Sequence, residues 1–124
     1  MTMAPRSLSP ALPCLAMLLA LSGTDAVAQE GRAIFQSWIG RTLVVEVPNG
    51  NRNTAAFAAD GTARIDGGAA DTGKWRLDDD GYCVTWQKLR GGREACFTIV
   101  RMGNEFLIVF KNTTDVAGKV TGFR

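Results

Sequence analysis

Apolar and polar residues alternate with a period of two along most of the chain after Gly40. This period is typical of β-strands that bury one face, because successive side chains point to opposite sides of a sheet. Short stretches rich in Gly, Asn and Asp interrupt the alternation about every 8–12 residues, as they do in all-β domains. The pattern predicts eight strands: Thr42–Val47, Thr54–Ala58, Thr62–Asp66, Gly73–Leu77, Tyr82–Lys88, Glu94–Arg101, Glu105–Lys111 and Lys119–Phe123.

One segment has a helical period instead. In residues 29–39, Ile34, Phe35 and Trp38 have the spacing of a single helix face, and Gly40 follows as a natural helix stop. The spacing predicts a short N-terminal helix ahead of the strands.

The hairpin between the second and third strands indicates which residues face inward. A two-residue turn at Asp60-Gly61 would place Ile65 on the face opposite to Phe57, whereas a three-residue loop, Ala59–Gly61, pairs Phe57 with Ala63. The three-residue loop keeps the apolar residues on one face, so we expect it. The predicted inner face then contains Leu43, Val45, Val47, Ala55, Phe57, Ala63, Ile65, Trp75, Leu77, Tyr82, Val84, Trp86, Phe97 and Ile99.

Eight short antiparallel strands with one apolar face can bury that face in two ways. Closure into a barrel leaves no exposed strand edge, which favours it. We therefore expect an all-β fold, a small up-and-down antiparallel barrel of about eight strands, with the helix and Trp38 plugging one open end. A two-sheet β-sandwich built from the same strands is the alternative.

Residues 1–28 have the pattern of a cleavable signal peptide. Arg6 supplies a positive charge, the apolar stretch Leu8–Leu21 is shorter than the roughly 20 residues that span a bilayer, and Ala26 and Ala28 are small residues at the positions that a signal peptidase reads. We expect cleavage after Ala28 and one domain over residues 29–124, periplasmic or secreted. No transmembrane segment is expected after cleavage.

Cys83 and Cys96 are the two cysteines that follow the predicted signal peptide. A tight turn at Gly91-Gly92 would leave them about 13 Å apart along the strands, too far to bridge, whereas a longer loop centred on Leu89-Arg90 places them opposite each other. Two cysteines in an exported chain indicate a disulfide, so we expect the longer loop. A redox pair would need Cys-x-x-Cys and a zinc site would need further ligands, and the sequence provides neither.

The residues of common catalytic sets are missing from the sequence. The chain has no histidine, and Ser37 is the only serine after the predicted signal peptide, so neither a Ser-His-Asp nor a Cys-His set can form. We expect the consecutive acids Asp78–Asp80 to form a solvated turn and not to converge on a metal. The net charge of +2 is too small to indicate nucleic-acid binding. We therefore expect no enzyme activity, no metal site and no cofactor.

The stretch from Gly61 to Val109, about half of the chain, carries a set of short motifs. They are Asp60-Gly61-Thr62, Gly73-Lys74-Trp75, Cys83-Val84-Thr85-Trp86, Gly91-Gly92 and Cys96-Phe97. In these motifs the chain resembles exported proteins of alphaproteobacteria catalogued as domain of unknown function 995. The resemblance implies a calycin-like barrel in a Gram-negative envelope and implies no activity or functional residues.

Two classes of function are compatible with these features. Lys88, Arg90 and Arg93 form a basic tip that suits an acidic partner, either an envelope protein or a lipid component. The first hypothesis is therefore a non-enzymatic exported interaction module of the bacterial envelope.

The alternative hypothesis is a lipocalin-like carrier of a small apolar ligand. Trp75, Tyr82, Trp86 and Phe97 would then line the pocket, or they would simply form the core. An eight-stranded barrel is only just wide enough for its own side chains or for one small ligand. On that geometry we expect a filled interior.

Overall fold

The computed structural model describes residues 29–124, so the predicted signal peptide and its cleavage site lie outside the described residues. The described chain begins with helix α1, residues 29–38. Eight strands follow: β1 (Thr42–Glu46), β2 (Arg52–Phe57), β3 (Thr62–Gly67), β4 (Asp71–Asp78), β5 (Gly81–Trp86), β6 (Ala95–Met102), β7 (Glu105–Phe110) and β8 (Val116–Phe123).

The strands form a closed antiparallel barrel in which each strand pairs with the next one along the chain and β8 pairs with β1. The predicted up-and-down barrel is confirmed, and the two-sheet sandwich is not what forms. All eight predicted strands are present, although β2 and β4 begin two residues earlier than predicted and β8 begins at Val116. Those early starts place polar side chains inside the barrel.

The predicted register of the β2–β3 hairpin is confirmed. Phe57 pairs with Ala63 and Ala55 pairs with Ile65 across the loop Ala59–Gly61. Gly61 has a φ of 93°, a left-handed conformation that glycine adopts without strain. This register sends the apolar residues of both strands into the barrel.

Helix α1 closes one end of the barrel, as the sequence predicts. Phe35 and Trp38 are fully buried. The Phe35 ring stacks on Tyr82 at a centroid distance of 4.5 Å and contacts the ring of Phe57 at 5.0 Å. Trp38 packs edge-on against Phe106 at 5.9 Å. Aromatic pairs at these distances stabilise beyond the burial of their area, so the helix forms a closely packed aromatic floor.

The predicted inner-face residues all belong to the barrel interior, but not all are fully buried. Most are buried, while Trp75, Leu77 and Trp86 are half-buried and pack against the core, and Val47 and Ile65 are half-buried as well. The core also includes residues that the prediction left out, namely Ala95, Ile108 and Val120.

Within residues 29–124, no helix is both long enough and apolar enough to cross a membrane.

Candidate functional site

The barrel interior contains a cavity of about 120 Å³. Its lining is drawn from every strand except β4, and only two of the lining side chains, those of Tyr82 and Trp86, carry a polar atom. The expected filled interior is therefore not what the structure has: the side chains leave an apolar space above the aromatic floor. Three of the four aromatic residues predicted to line a pocket do so: Tyr82, Trp86 and Phe97.

Trp75 is the predicted lining residue that lies elsewhere. Its ring packs edge-on against Phe35 at 5.2 Å, and its Nε1 donates a hydrogen bond to the carbonyl oxygen of Ala58 at 2.8 Å. Trp75 therefore braces the floor of the barrel and does not line the cavity.

Tyr82 is buried deep in the cavity wall. Burial raises the pKa of its phenol, and burial is the only cause of that shift. The hydroxyl consequently stays protonated at any physiological pH and can act only as a neutral hydrogen-bonding group.

The cavity reaches solvent at the end of the barrel opposite to α1. Val47, Trp86 and Ala117 lie in its lining at that end, where β1 and β5 finish and β8 begins. All three are half-buried, so they form the outer margin of the cavity. The cavity lining is least buried at this end, and α1 lies at the other.

The loop between β5 and β6 stands at this open end and carries the predicted basic tip. Lys88, Arg90 and Arg93 are all exposed, and none of them has a carboxylate within ion-pair distance among residues 29–124. The Arg90 guanidinium stands over the ring of Phe110, 5.2 Å from its centroid. Arg90 and Gly91 have left-handed backbone conformations, with φ of 57° and 63°.

A buried carboxylate holds this loop in place. Asp71 accepts hydrogen bonds at Oδ2 from the backbone N–H of Lys88 (2.8 Å) and of Leu89 (2.9 Å), and at Oδ1 from that of Thr72 (2.8 Å). These bonds, that from Leu89 above all, hold the pKa of the Asp71 carboxyl below its ordinary value of 3.8. Asp71 has no role predicted from the sequence, and in the structure it anchors the basic loop.

Asn53 does the same for the neighbouring loop, between β3 and β4. It is buried, and its Oδ1 accepts hydrogen bonds from the backbone N–H of Gly68 at 2.7 Å and of Ala69 at 3.4 Å. Both anchors occupy inward-facing positions at the starts of β2 and β4, the two strands that begin earlier than predicted. Asn53 and Asp71 could have been identified from the sequence, because each is a polar residue at a position where the two-residue alternation predicts an inward-facing apolar side chain.

The predicted disulfide is confirmed. Cys83 pairs directly with Cys96 across β5 and β6, and their sulfurs are bonded. The longer loop is confirmed with it, because its tight turn spans Leu89–Gly92. The bond lies on the outer face of the barrel, where Arg76 makes two hydrogen bonds of 2.9 Å to Glu94 and places Nη2 3.9 Å from the Cys96 sulfur.

An acidic side chain also lies beside the disulfide. The Asp78 carboxylate approaches both sulfurs, and the three ligand atoms lie within 4.8 Å of one another. Disulfide sulfurs lack the thiolate charge that binds metal ions, so in the oxidised protein this group is not a metal-ligand set.

The acidic turn Asp78–Asp80 differs from the expected solvated turn. The Lys111 Nζ donates to Asp78 Oδ2 at 2.7 Å and lies 3.8 Å from Asp80 Oδ1, while Thr98 Oγ1 donates to Asp80 Oδ2 at 2.9 Å. Asp78 and Asp80 are therefore partly buried and bonded, and the expectation of a solvated turn holds for Asp79 alone. The lysine lowers the pKa of Asp78, and Asp78 raises the pKa of Lys111, as in a partly buried ion pair.

No family model, no curated protein and no solved structure matches the chain. The resemblance to the domain of unknown function 995 therefore remains a prediction. The cavity and the basic loop at its open end are the features from which a function can be inferred.

Proposed function

We propose that the barrel is a non-enzymatic binding protein that takes a small apolar ligand, or the apolar part of a larger one, into its cavity. The observation that carries this proposal is the apolar cavity of about 120 Å³ between the aromatic floor and the open end. A cavity of about 150 Å³ lined by Leu, Ile and Phe stays dry and accepts benzene. At the same occupancy this cavity accommodates about five non-hydrogen atoms.

The lining supports binding without chemistry. Its side chains include no nucleophile, and its one titratable group, the Tyr82 phenol, is held protonated by burial. The best small ligands gain about 1.5 kcal/mol per non-hydrogen atom, so five buried atoms give at most about 7 kcal/mol, close to a micromolar Kd. We expect dissociation constants between about 10 µM and 1 mM.

The cavity favours this proposal over docking through the basic tip alone. An internal void weakens a core, because the side chains around it lose packing contacts, and a module that docks only by its surface has no use for one. The sequence suggests that the protein is periplasmic or secreted. The disulfide is compatible with either location, because disulfides persist in oxidising environments.

The test is a titration with 1-hexanol followed by methyl NMR and by tryptophan emission. Trp86 is the one tryptophan of the chain's three that lines the cavity, since Trp38 and Trp75 pack at the floor. We expect saturable shifts of the Leu43 and Ile108 methyl signals and a change in Trp86 emission. Absence of any saturable change up to about 10 mM, well above the expected range of Kd, would refute ligand binding and leave docking through the basic tip as the remaining hypothesis.

A matched pair of substitutions on β2 locates the binding. Ala55 lines the cavity, whereas Ala56, the next residue, faces the outside of the barrel. Ala55→Leu should fill part of the cavity, abolish hexanol binding and raise the free energy of unfolding by about 1 kcal/mol. Ala56→Leu should leave binding unchanged. Equal binding by both variants would place the ligand elsewhere.

A further inference from the structure

We infer that the ligand is an amphiphilic monoanion whose apolar tail occupies the cavity and whose carboxylate, or a similar oxyanion, lies against the basic loop. The inference rests on the proposed function and adds the chemistry of the head group. Four features of the described residues support it: the direction of the cavity, the position of Arg90, the balance of charge at the open end and the anchoring of the loop.

The cavity leaves a ligand one direction in which to extend. The floor is closed by Phe35 stacked on Tyr82, and the opposite margin includes Trp86, the last residue of β5. The basic loop begins directly after Trp86. Because the cavity accommodates only about five non-hydrogen atoms, the remainder of a longer ligand emerges beside this loop.

Arg90 lies near the cavity but outside its lining, in a neighbouring depression that it shares with Phe110 and Asp115. Its guanidinium lies 5.2 Å from the centroid of Phe110, and that ring lies 5.1 Å from the ring of Phe97, which lines the cavity. Together the two distances put the guanidinium within about 10 Å of the Phe97 ring centroid. The aromatic contact also holds this exposed cation at the barrel end.

The balance of charge at the open end favours an anion. Two nearby acids are paired with cations: Glu94 binds Arg76, and Glu46 lies 3.9 Å from Arg52. Among the described residues of the loops at this end, Asp115 is the acid without an ion pair. Asp115 and the ionised Asp71 oppose the three cations of the basic loop, so the local excess is one positive charge, which attracts anions to the cavity mouth.

The loop that carries these cations is ordered before a ligand arrives. The two hydrogen bonds from Lys88 and Leu89 to Asp71 fix its backbone where it leaves β5. A site whose charged groups are already positioned loses less conformational entropy on binding, so its preference for the correct charge is larger.

The test compares three ligands with the same six-carbon chain: hexanoate, 1-hexanol and hexylamine, which is protonated at neutral pH. We expect hexanoate to bind about tenfold more tightly than 1-hexanol, and hexylamine to bind more weakly than either. Added salt should weaken the binding of hexanoate and leave that of hexanol unchanged, because only the former involves charge. Isothermal titration calorimetry or the methyl NMR titration measures all three.

Arg90→Gln tests the position of the head group. The variant should bind hexanoate about as weakly as hexanol and should bind hexanol as the unaltered protein does. Lys74→Gln is the control, because it removes one positive charge from an exposed position on β4, outside the basic loop. Lys88→Gln and Arg93→Gln show whether the other two loop cations contribute.

The outcomes separate this inference from the function on which it rests. If hexanol binds but hexanoate binds no more tightly, the inference is wrong and the proposed function stands. If neither binds, both fail. If the preference for hexanoate survives all three loop substitutions, the head group does not lie against the loop and the inference is overturned.

Discussion

Asp71 and Asn53 are the two buried polar residues of the described chain, and each is satisfied by backbone N–H groups of a loop. A buried polar group without partners would destabilise the barrel, whereas a fully bonded one fixes the segment that it binds. The shape of the open end thus depends on single residues at the starts of two strands. Substitution of either residue should affect a loop before it affects the barrel.

The Asp71 carboxylate should make stability depend on pH. Its pKa is lowered in the folded protein, so its contribution is present above the ordinary value of 3.8 and is lost as the pH falls through the lowered folded-state pKa. Asp71→Asn should therefore be less stable than the unaltered protein at about pH 7, with a difference that shrinks below about pH 4. Urea unfolding across this range measures the difference.

Amide hydrogen exchange at Lys88 and Leu89 reports directly on the loss of the Asp71 hydrogen bonds. Both amides donate to Asp71, so both should exchange faster in Asp71→Asn. Asp79→Asn, at an exposed position, is the control. It should change neither the amide exchange rates of Lys88 and Leu89 nor the dependence of stability on pH. A stability difference for Asp71→Asn that is constant with pH would contradict the anchoring role.

At the scale of elements, α1 decides how one end of the barrel closes. Gly31 is buried, and a methyl group at this position would meet the carbonyl oxygens of Asp80 and Ile99. The missing side chain lets the start of the helix approach the β4–β5 turn and β6 closely. The periodicity of the sequence predicted the helix and its inward face. The contact of Gly31 with Asp80 and Ile99 joins residues that are distant in sequence, so no local sequence pattern indicates it.

Gly31→Ala separates packing from helix propensity. Alanine is the better helix former by about 1 kcal/mol, yet we expect the variant to lower the free energy of unfolding by about 1–3 kcal/mol, because its methyl group clashes with backbone that cannot move aside. Gln36→Ala, at an exposed position of the same helix, should change stability by less than about 0.5 kcal/mol. Denaturant unfolding of both variants is the measurement. A stabilised Gly31→Ala variant would show that Gly31 does not contact the carbonyl oxygens of Asp80 and Ile99 closely.

For the whole molecule, the disulfide is the one covalent link between strands among residues 29–124. It closes a ring around the β5–β6 loop, with its two cysteines 13 positions apart. In the chain-entropy model a ring of this size stabilises the folded state by about 3 kcal/mol, which is a large part of the stability of a small domain.

Replacing Cys83 and Cys96 together with alanine should therefore lower the free energy of unfolding by about 3 kcal/mol. Urea unfolding measures the change, and the unaltered protein treated with a reductant is the control, since it should lose a similar amount. Hexanol binding should persist in the folded fraction, because the disulfide lies on the outer face. A double variant as stable as the oxidised protein would mean that the bond does not stabilise the barrel.

The strands, the helix and the barrel were predictable from the sequence because they depend on local periodicity and turn chemistry. The disulfide register also needed the predicted compartment as an argument. The pairing of Asp78 with Lys111 was out of reach, since it joins residues that are 33 positions apart and carry no shared pattern. The cavity was not predictable for a different reason: whether large side chains fill a barrel depends on rotamers and register together, and the width of an eight-stranded barrel favoured a filled interior.

The pairing of β1 with β8 joins the first strand of the domain to its last, with Leu43 opposite Phe123. A chain that emerges from a ribosome or a membrane pore with its N-terminus first must therefore wait for its final residues before this seam can form. Until then β1 and the growing end each present an unpaired edge, the kind of surface that recruits other chains into aggregates. The same arrangement places the start of β1 beside the end of β8, whereas α1 begins near the β4–β5 turn and β6. A circular permutant opened at the Ala59–Gly61 loop would therefore need a linker that crosses this end of the barrel from β8 to the start of α1.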